Sequence, residues 1–288
     1  MLVKNYLKKI VLLFLSILAL QLFLSCESLP DDDYDGGTIS YRYRGNRVIV
    51  PVKEDVPKIQ YDRYLFKKKG MRMTYEGDPA YTYRLGLDIS RHDGKNINWR
   101  KVRKAGFDFI IFRIGWRGYQ SGILHVDEHF HENMKGAIKQ GFEIGVYVFS
   151  QAINEEEALE EAQLVIDELH GYPIRLPVVF DPESIPWEEA RTDDISGEQF
   201  TKNAIVFCEA IKEAGYEPMI YSNIVWEAEF FDLSQLKDYK IWYADYHEIP
   251  HTPYHFEFWQ YGGESARVPG FKRRRKVDID IQMLPNYL

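Results

Sequence analysis

Asp181 and Glu183, in the run Val178-Val179-Phe180-Asp181-Pro182-Glu183, are two carboxylates separated by one residue in a chain of 288. On an extended strand such a pair faces one side, with Cβ atoms roughly 6.6 Å apart at a rise of about 3.3 Å per residue. Pro182 between them cannot donate to a sheet ladder, which fits the end of a strand better than its middle. Cleavage of a glycosidic bond needs one carboxylic acid to protonate the leaving oxygen and a second group to stabilise or capture the cationic centre. Two like charges this close also raise one pKa, keeping a carboxyl protonated near neutrality. Alone, an Asp-x-Glu serves equally well as a solvated loop pair or a helix cap.

Other carboxylates occupy comparable places. Asp88 closes Leu85-Gly86-Leu87-Asp88, Asp245 closes Trp242-Tyr243-Ala244-Asp245, and Asp278 and Asp280 alternate in Val277-Asp278-Ile279-Asp280. An apolar strand that ends in a carboxylate is unusual, because a buried charge is costly unless paired or hydrogen-bonded. Its recurrence points to one site gathered at one rim.

The elements that must hold these residues read regularly from Leu85 onward. Strand-like runs cover Arg84 to Ser90, Phe107 to Gly115, Phe142 to Phe149, Leu176 to Glu183, Glu217 to Ser222, Lys240 to Tyr246, Phe256 to Tyr261 and Val277 to Met283. The first five are followed by helical patterns, such as Asp127 to Gln140 and Glu155 to Leu169, with apolar positions three and four apart. Gly106, Gly141 and Gly215 fall just past such helices, where a left-handed residue ends them. Near-continuous apolar strands alternating with helices indicate a parallel sheet covered outside and closed on itself, with reactive residues at the strands' C-terminal ends. The expected fold is α/β, an irregular TIM-like (β/α) barrel over residues 84–288, with five β/α units followed by three strands lacking helices. Residues 37–83 hold strand-like pieces such as Arg47 to Val52 and are expected to form an N-terminal extension packed on the barrel.

The N-terminus reads as an address. Lys4, Lys8 and Lys9 precede the apolar stretch Ile10 to Leu24, which describes a secretory signal over residues 1–25. Phe23-Leu24-Ser25-Cys26 resembles a bacterial lipobox, which would make Cys26 the lipid-bearing first mature residue. Residues 26–36 are then a solvated acidic tether. Acidic residues behind a lipidated cysteine resemble the surface-export signals of Bacteroidetes lipoproteins. The expected location is the outer membrane, at its periplasmic face or the cell surface, with the lipid as the membrane contact.

A formal charge of −8 excludes a nucleic-acid binder, which needs clustered cations, and the basic run Lys272 to Lys276 reads as a solvated loop. Cys208 lies in a helical pattern as a buried, inert thiol, and no disulfide framework is implied. His125 and His129 flank the start of a polar helix, where a solvated face is expected rather than a zinc site, so no cofactor is expected.

At these residues the chain resembles glycoside hydrolase family 25, the lysozymes (N-acetylmuramidases) that cut the β-1,4 bond after N-acetylmuramic acid in peptidoglycan. The resemblance is carried by Leu87-Asp88-Ile89-Ser90, Phe109-Ile110-Ile111-Phe112-Arg113, Gly145-Val146-Tyr147-Val148-Phe149, Val179-Phe180-Asp181-Pro182-Glu183, Ile220-Tyr221-Ser222, Ile241-Trp242-Tyr243-Ala244, Phe258-Trp259-Gln260-Tyr261 and Val277-Asp278. It implies Glu183 as general acid, Asp181 as its partner, and Asp88 and Asp278 as further acids lining the site. It also implies peptidoglycan glycan strands as substrate, with Tyr147, Tyr221, Trp242 and Trp259 as walls against which sugar rings stack. Asp245, at its own strand end, is read as a further substrate contact. The chain departs from the family pattern at Arg91-His92-Asp93-Gly94, at Asn98 and at Asp280, which bears on subsite contacts. A glycan-binding barrel without catalysis and a metal-dependent deacetylase stay open beside it.

Overall fold

The computed structural model of the protein describes residues 37–186, 188–262, 267–272 and 276–286. The signal segment, the acidic tether with Cys26, and the centre of the basic run after Lys272 lie outside the described residues.

Among the described residues, 37–52 with 186 and 188 cluster as one compact unit and the others as a second. In the first, β1 (Thr38–Tyr43) and β2 (Asn46–Pro51) pair antiparallel. Arg44 and Gly45 between them both have positive φ, 49° and 81°, the two-residue turn whose twist suits a hairpin.

The second unit contains a closed barrel. Its strands are β5 (Tyr81–Ile89), β6 (Phe109–Arg117), β8 (Glu143–Ser150), β9 (Val178–Pro182), β10 (Pro218–Asn223), β11 (Lys240–Ala244), β12 (Phe258–Gly262) and β13 (Asp278–Pro285). Neighbours in that order are hydrogen-bonded, and β13 pairs with β5 to close the ring, while β7 (Leu124–Val126) extends the sheet beside β6. A hairpin of β3 (Phe66–Lys69) and β4 (Arg72–Tyr75) belongs to the same unit.

The helices fall where periodicity places them. α1 (Trp99–Lys104) follows β5, α2 (Phe130–Ile138) follows β7, α3 (Glu155–Leu169) follows β8 and α4 (Gly197–Glu213) follows β9. After β10 come a π-helical turn (Trp226–Phe230) and the four-residue α5 (Leu233–Leu236). Among the described residues no helix follows β11 or β12. Side-chain caps begin α1, α3 and α4, from Asn98, Asn154 and Ser196, each accepting a backbone N–H of the first turn. Gly106, Gly141 and Gly215 have φ of 84°, 76° and 86°, the left-handed conformation that ends a helix.

One expectation is corrected by the last strand. β13 runs antiparallel to both β12 and β5, whereas the pattern of β/α units indicated a parallel sheet throughout. Its N-terminal end therefore lies at the rim formed by the C-terminal ends of the other strands.

The lumen is filled. Phe109, Ile111, Tyr147, Leu176, Val179, Met219, Tyr221, Trp242, Ala244 and Phe258 form one buried cluster, each large side chain contributing on the order of 1.5–3 kcal/mol by leaving water. Gly86 faces this cluster because nothing larger fits: a Cβ there would lie 2.1 Å from the Phe109 ring. Outside the barrel, Phe180 packs on Phe207 of α4, and the buried Cys208 sits on the same helix. Tyr61, Phe66 and Met73 cover β12, with the Tyr261 hydroxyl accepting the Met73 N–H at 3.1 Å.

Candidate active site

Strand alternation decides which side chains reach the lumen. Val179 lies in the core cluster, so Asp181 and then Glu183 follow it inward. By the same parity Phe109 and Ile111 lead to Arg113, Gly86 leads to Asp88, and Phe258 leads to Gln260. Across the antiparallel seam Asp278 stands opposite Asp88 and Asp280 opposite Gly86. Four of the acids expected at strand ends, Asp88 of β5, Asp181 and Glu183 of β9 and Asp278 of β13, thus meet at one rim.

Asp181 is 3% exposed, and its Oδ1 has no hydrogen-bond partner among the described residues. Burial holds its carboxyl well above the usual range, the charge of Glu183 adds to this, and the Arg113 guanidinium opposes it. Glu183, just past the strand and partly exposed, is pushed up to about 7 by burial, again against Arg113. Two carboxyls this close titrate as a unit, and the unit keeps a proton through neutrality. The Glu183 backbone is held by Gln151, whose Nε2 donates to its carbonyl at 2.6 Å while Oε1 accepts the Thr192 hydroxyl at 3.0 Å.

The opposite side of the rim is more acidic still. Asp88 is raised by burial and by the charges of Asp278 and Asp280, while Gln260 Nε2 donates to its Oδ2 at 2.9 Å. Asp280 is fully buried, accepts the Trp242 indole N–H at 2.9 Å, and neighbours the Asp88 carboxyl. Burial raises its pKa as well, and a contact between two carboxyls is attractive only when one holds a proton.

Arg113 is the cation of the site. Its Nε and Nη2 donate to Asp127 Oδ2 at 3.0 and 2.8 Å, and Asp127 also accepts the backbone N–H groups of Arg91 and His129. This role of Asp127 leaves the guanidinium fixed beside Asp181 and Glu183 without neutralising either of them.

Tyr147, Tyr221 and Trp242 are brought together, but as a floor rather than as walls. Tyr147 and Tyr221 meet Trp242 edge to face at 5.8 and 5.0 Å, and none of the three is more than 9% exposed. Trp259 is corrected: between inward Phe258 and Gln260 it must point outward, where it packs on Phe66 and donates its indole N–H to the Asp245 carbonyl at 2.7 Å. Asp245 is corrected by the same parity. It follows outward Tyr243, and its carboxylate is taken up by the backbone and side chains of His247 and His251. His125 stacks on Trp116, and His129 stands at the N-cap position of α2 without a side-chain hydrogen bond to it.

Sequence reasoning missed Arg113, Gln260 and Tyr246 as site residues. The first two were legible as inward positions two residues beyond core side chains. Tyr246 was not: the residue is 58% exposed, while its hydroxyl turns back to Gln260 Oε1 at 2.7 Å.

A second carboxyl beside one that stays protonated, at the open rim of a filled barrel, is the equipment of a glycoside hydrolase. The sequence model of the glycosyl hydrolases family 25 matches residues 87–271, and the chain belongs to that family. A search of curated proteins gave no match. The fold is similar to that of the modular autolysin LytC from Streptococcus pneumoniae in complex with synthetic peptidoglycan ligand, with 22% identity and a TM-score of 0.57 over 75% of this chain and 51% of that one. The chain thus spans about half the length of that autolysin. It is also similar to a family 25 glycosyl hydrolase from Bacillus anthracis (22% identity, TM-score 0.54, 72% of this chain and 91% of that one). The Clostridium perfringens spore cortex lytic enzyme SleM matches at 21% identity and a TM-score of 0.60, over 74% of this chain and 70% of that one.

Proposed function

We propose that the protein is a peptidoglycan hydrolase of the lysozyme type, cleaving the β-1,4 bond between N-acetylmuramic acid and N-acetylglucosamine. The observation that carries this reading is the pair at the end of β9: a partly exposed Glu183 with a pKa near 7 beside a buried Asp181 whose Oδ1 has no partner among the described residues. Glu183 is the general acid, since it is the member of the pair that solvent, and hence substrate, can reach. Asp181 accepts the N–H of the substrate's 2-acetamido group through Oδ1. That hydrogen bond favours the ionised form of Asp181 and so moves the shared proton to Glu183, where it protonates the leaving oxygen. The oriented acetamido oxygen then captures the anomeric carbon, the substrate-assisted variant of the two-carboxyl scheme. Asp88 and Asp278 line the far side of the cleft. Relatives of similar fold named as an autolysin with a peptidoglycan ligand and as a spore cortex lytic enzyme support the substrate class.

The N-terminal sequence supports a lipid anchor at Cys26, which would hold the barrel at the outer membrane, at its periplasmic face or the cell surface. Incorporation of labelled fatty acid that is lost in Cys26→Ala is the expected result.

Digestion of a defined peptidoglycan by the full chain, read by mass spectrometry, should release fragments with N-acetylmuramic acid at the new reducing end. Glu183→Gln should abolish this while thermal unfolding is retained. Undiminished cleavage by that variant sinks the assignment.

A further inference from the structure

The outward-facing carboxylate of Asp245 organises a second cluster, separate from the pair on β9. His247 and His251 donate their backbone N–H groups to its two oxygens at 3.0 and 2.9 Å, which pins the loop from Asp245 to His251 around the carboxylate. Both imidazoles then turn Nδ1 to the same group, at 2.6 Å from Oδ1 and 2.9 Å from Oδ2, with ring centroids 4.3 Å apart. The Tyr243 hydroxyl approaches Oδ2 at 3.4 Å.

The geometry points to a divalent transition-metal site formed by Asp245, His247 and His251, of the class taken by zinc. One donor atom from each residue lies within 4.8 Å of the other two. Around a tetrahedral zinc such atoms stand about 3.3 Å apart, given bonds of about 2.0–2.1 Å, so the 2.6 and 2.9 Å gaps between imidazole and carboxylate open slightly to admit the ion while any wider gap closes by at most about 1.5 Å. Two imidazoles and one carboxylate suit zinc, cobalt, nickel or copper, whereas magnesium and calcium take oxygen donors. The carboxylate is 8% exposed and already anchored by the two backbone N–H groups, so it is a preorganised ligand, while the partly exposed imidazoles leave an entry path.

Binding through Nδ1 places the ion where each imidazole now meets the carboxylate, and a neutral ring then carries its proton at Nε2. Its consequence for the glycosidase site runs through Tyr246, which lies between the first two ligands and bonds Gln260. An ion fixes the loop that holds this exposed ring at the rim.

The test uses the full chain, stripped with a chelator, equilibrated with Zn²⁺ alone, desalted and analysed by mass spectrometry of metals. About one zinc per chain is expected, together with a rise in thermal unfolding temperature and, on loading with Co²⁺, visible absorption. The double variant His247→Gln/His251→Gln should lose all three signals while its circular dichroism is retained, and His125→Gln should lose none. If the double variant does not fold, His251→Gln alone should weaken zinc binding about tenfold or more. Zinc below about a tenth per chain in the wild type, or zinc retained equally by the histidine variants, overturns the proposal.

Discussion

Activity should fall about tenfold between about pH 6 and pH 8 if Glu183 is the acid of the reaction. Burial pushes its pKa up to about 7, so the carboxyl is protonated in about nine molecules of ten at the lower pH and one in ten at the higher. A carboxyl at its ordinary value of about 4.5 would be almost wholly ionised at both, and the profile would have turned down far earlier. Arg113 supplies the control, because its guanidinium is the group that opposes the rise at both Asp181 and Glu183. Arg113→Gln should shift the alkaline limb of kcat/KM to higher pH. It should also cost about 3–5 kcal/mol of stability, since Asp127 is left buried and without its cation. Arg113→Lys keeps the charge and should leave the limb close to its wild-type position. Initial rates of reducing-end release from a soluble glycan, across about pH 5 to pH 9, measure all three. An alkaline limb below about pH 5.5, or one that does not move in folded Arg113→Gln, would refute the reasoning.

Three further outcomes are expected. Asp280→Asn keeps the acceptor for the Trp242 indole and supplies a permanent donor toward Asp88, so kcat should stay within about threefold of wild type, whereas Asp280→Ala should lose about tenfold or more; equal losses in both would rule out a proton-holding role. Trp259→Phe removes the bond to the Asp245 carbonyl at 2.7 Å and should cost about 1 kcal/mol in denaturant unfolding with KM unchanged; a large rise in KM would return Trp259 to the substrate site. Glu227 is buried, accepts the Thr252 hydroxyl at 2.6 Å, and is raised to about 8 by burial. Its folded pKa exceeds its unfolded value, so its contribution is full below about pH 4.5 and is lost as pH rises through about 8. Glu227→Gln should flatten that decline by on the order of 5 kcal/mol, read from denaturation at a series of pH values.

Much of the barrel was legible because its strands are short apolar runs separated by helices of clear period, as α3 shows: Glu155–Leu169 is helical over the span its apolar spacing marks. The inward acids were legible for a related reason, since a carboxylate at the end of an apolar run carries a desolvation cost that packing alone does not return. Strand direction was not, because apolar alternation reads the same in both senses. The facing of Trp259 and Asp245 was also hidden. In Phe258-Trp259-Gln260-Tyr261 every side chain is bulky and all four are buried, so composition carries no parity, and only the register of neighbouring strands supplies it. The β3–β4 hairpin was missed because its strands are only four residues long, with three consecutive lysines in β3 and with Phe66, Met73 and Tyr75 as the buried positions.

Gln260 imposes a direction on the hydrogens around it. Its Nε2 gives a hydrogen to Asp88, which turns Oε1 toward the hydroxyls of both Tyr221, at 3.0 Å, and Tyr246, at 2.7 Å. An amide oxygen only accepts, so both phenols must spend their single hydrogen on it. The rim therefore meets an incoming sugar with a phenol oxygen that has lone pairs to offer and no hydrogen to give. At Tyr246 a ligand hydroxyl or N–H is welcome and a bare carbonyl is not, a polarity set two hydrogen bonds away by the Asp88 carboxyl oxygen that accepts from Gln260.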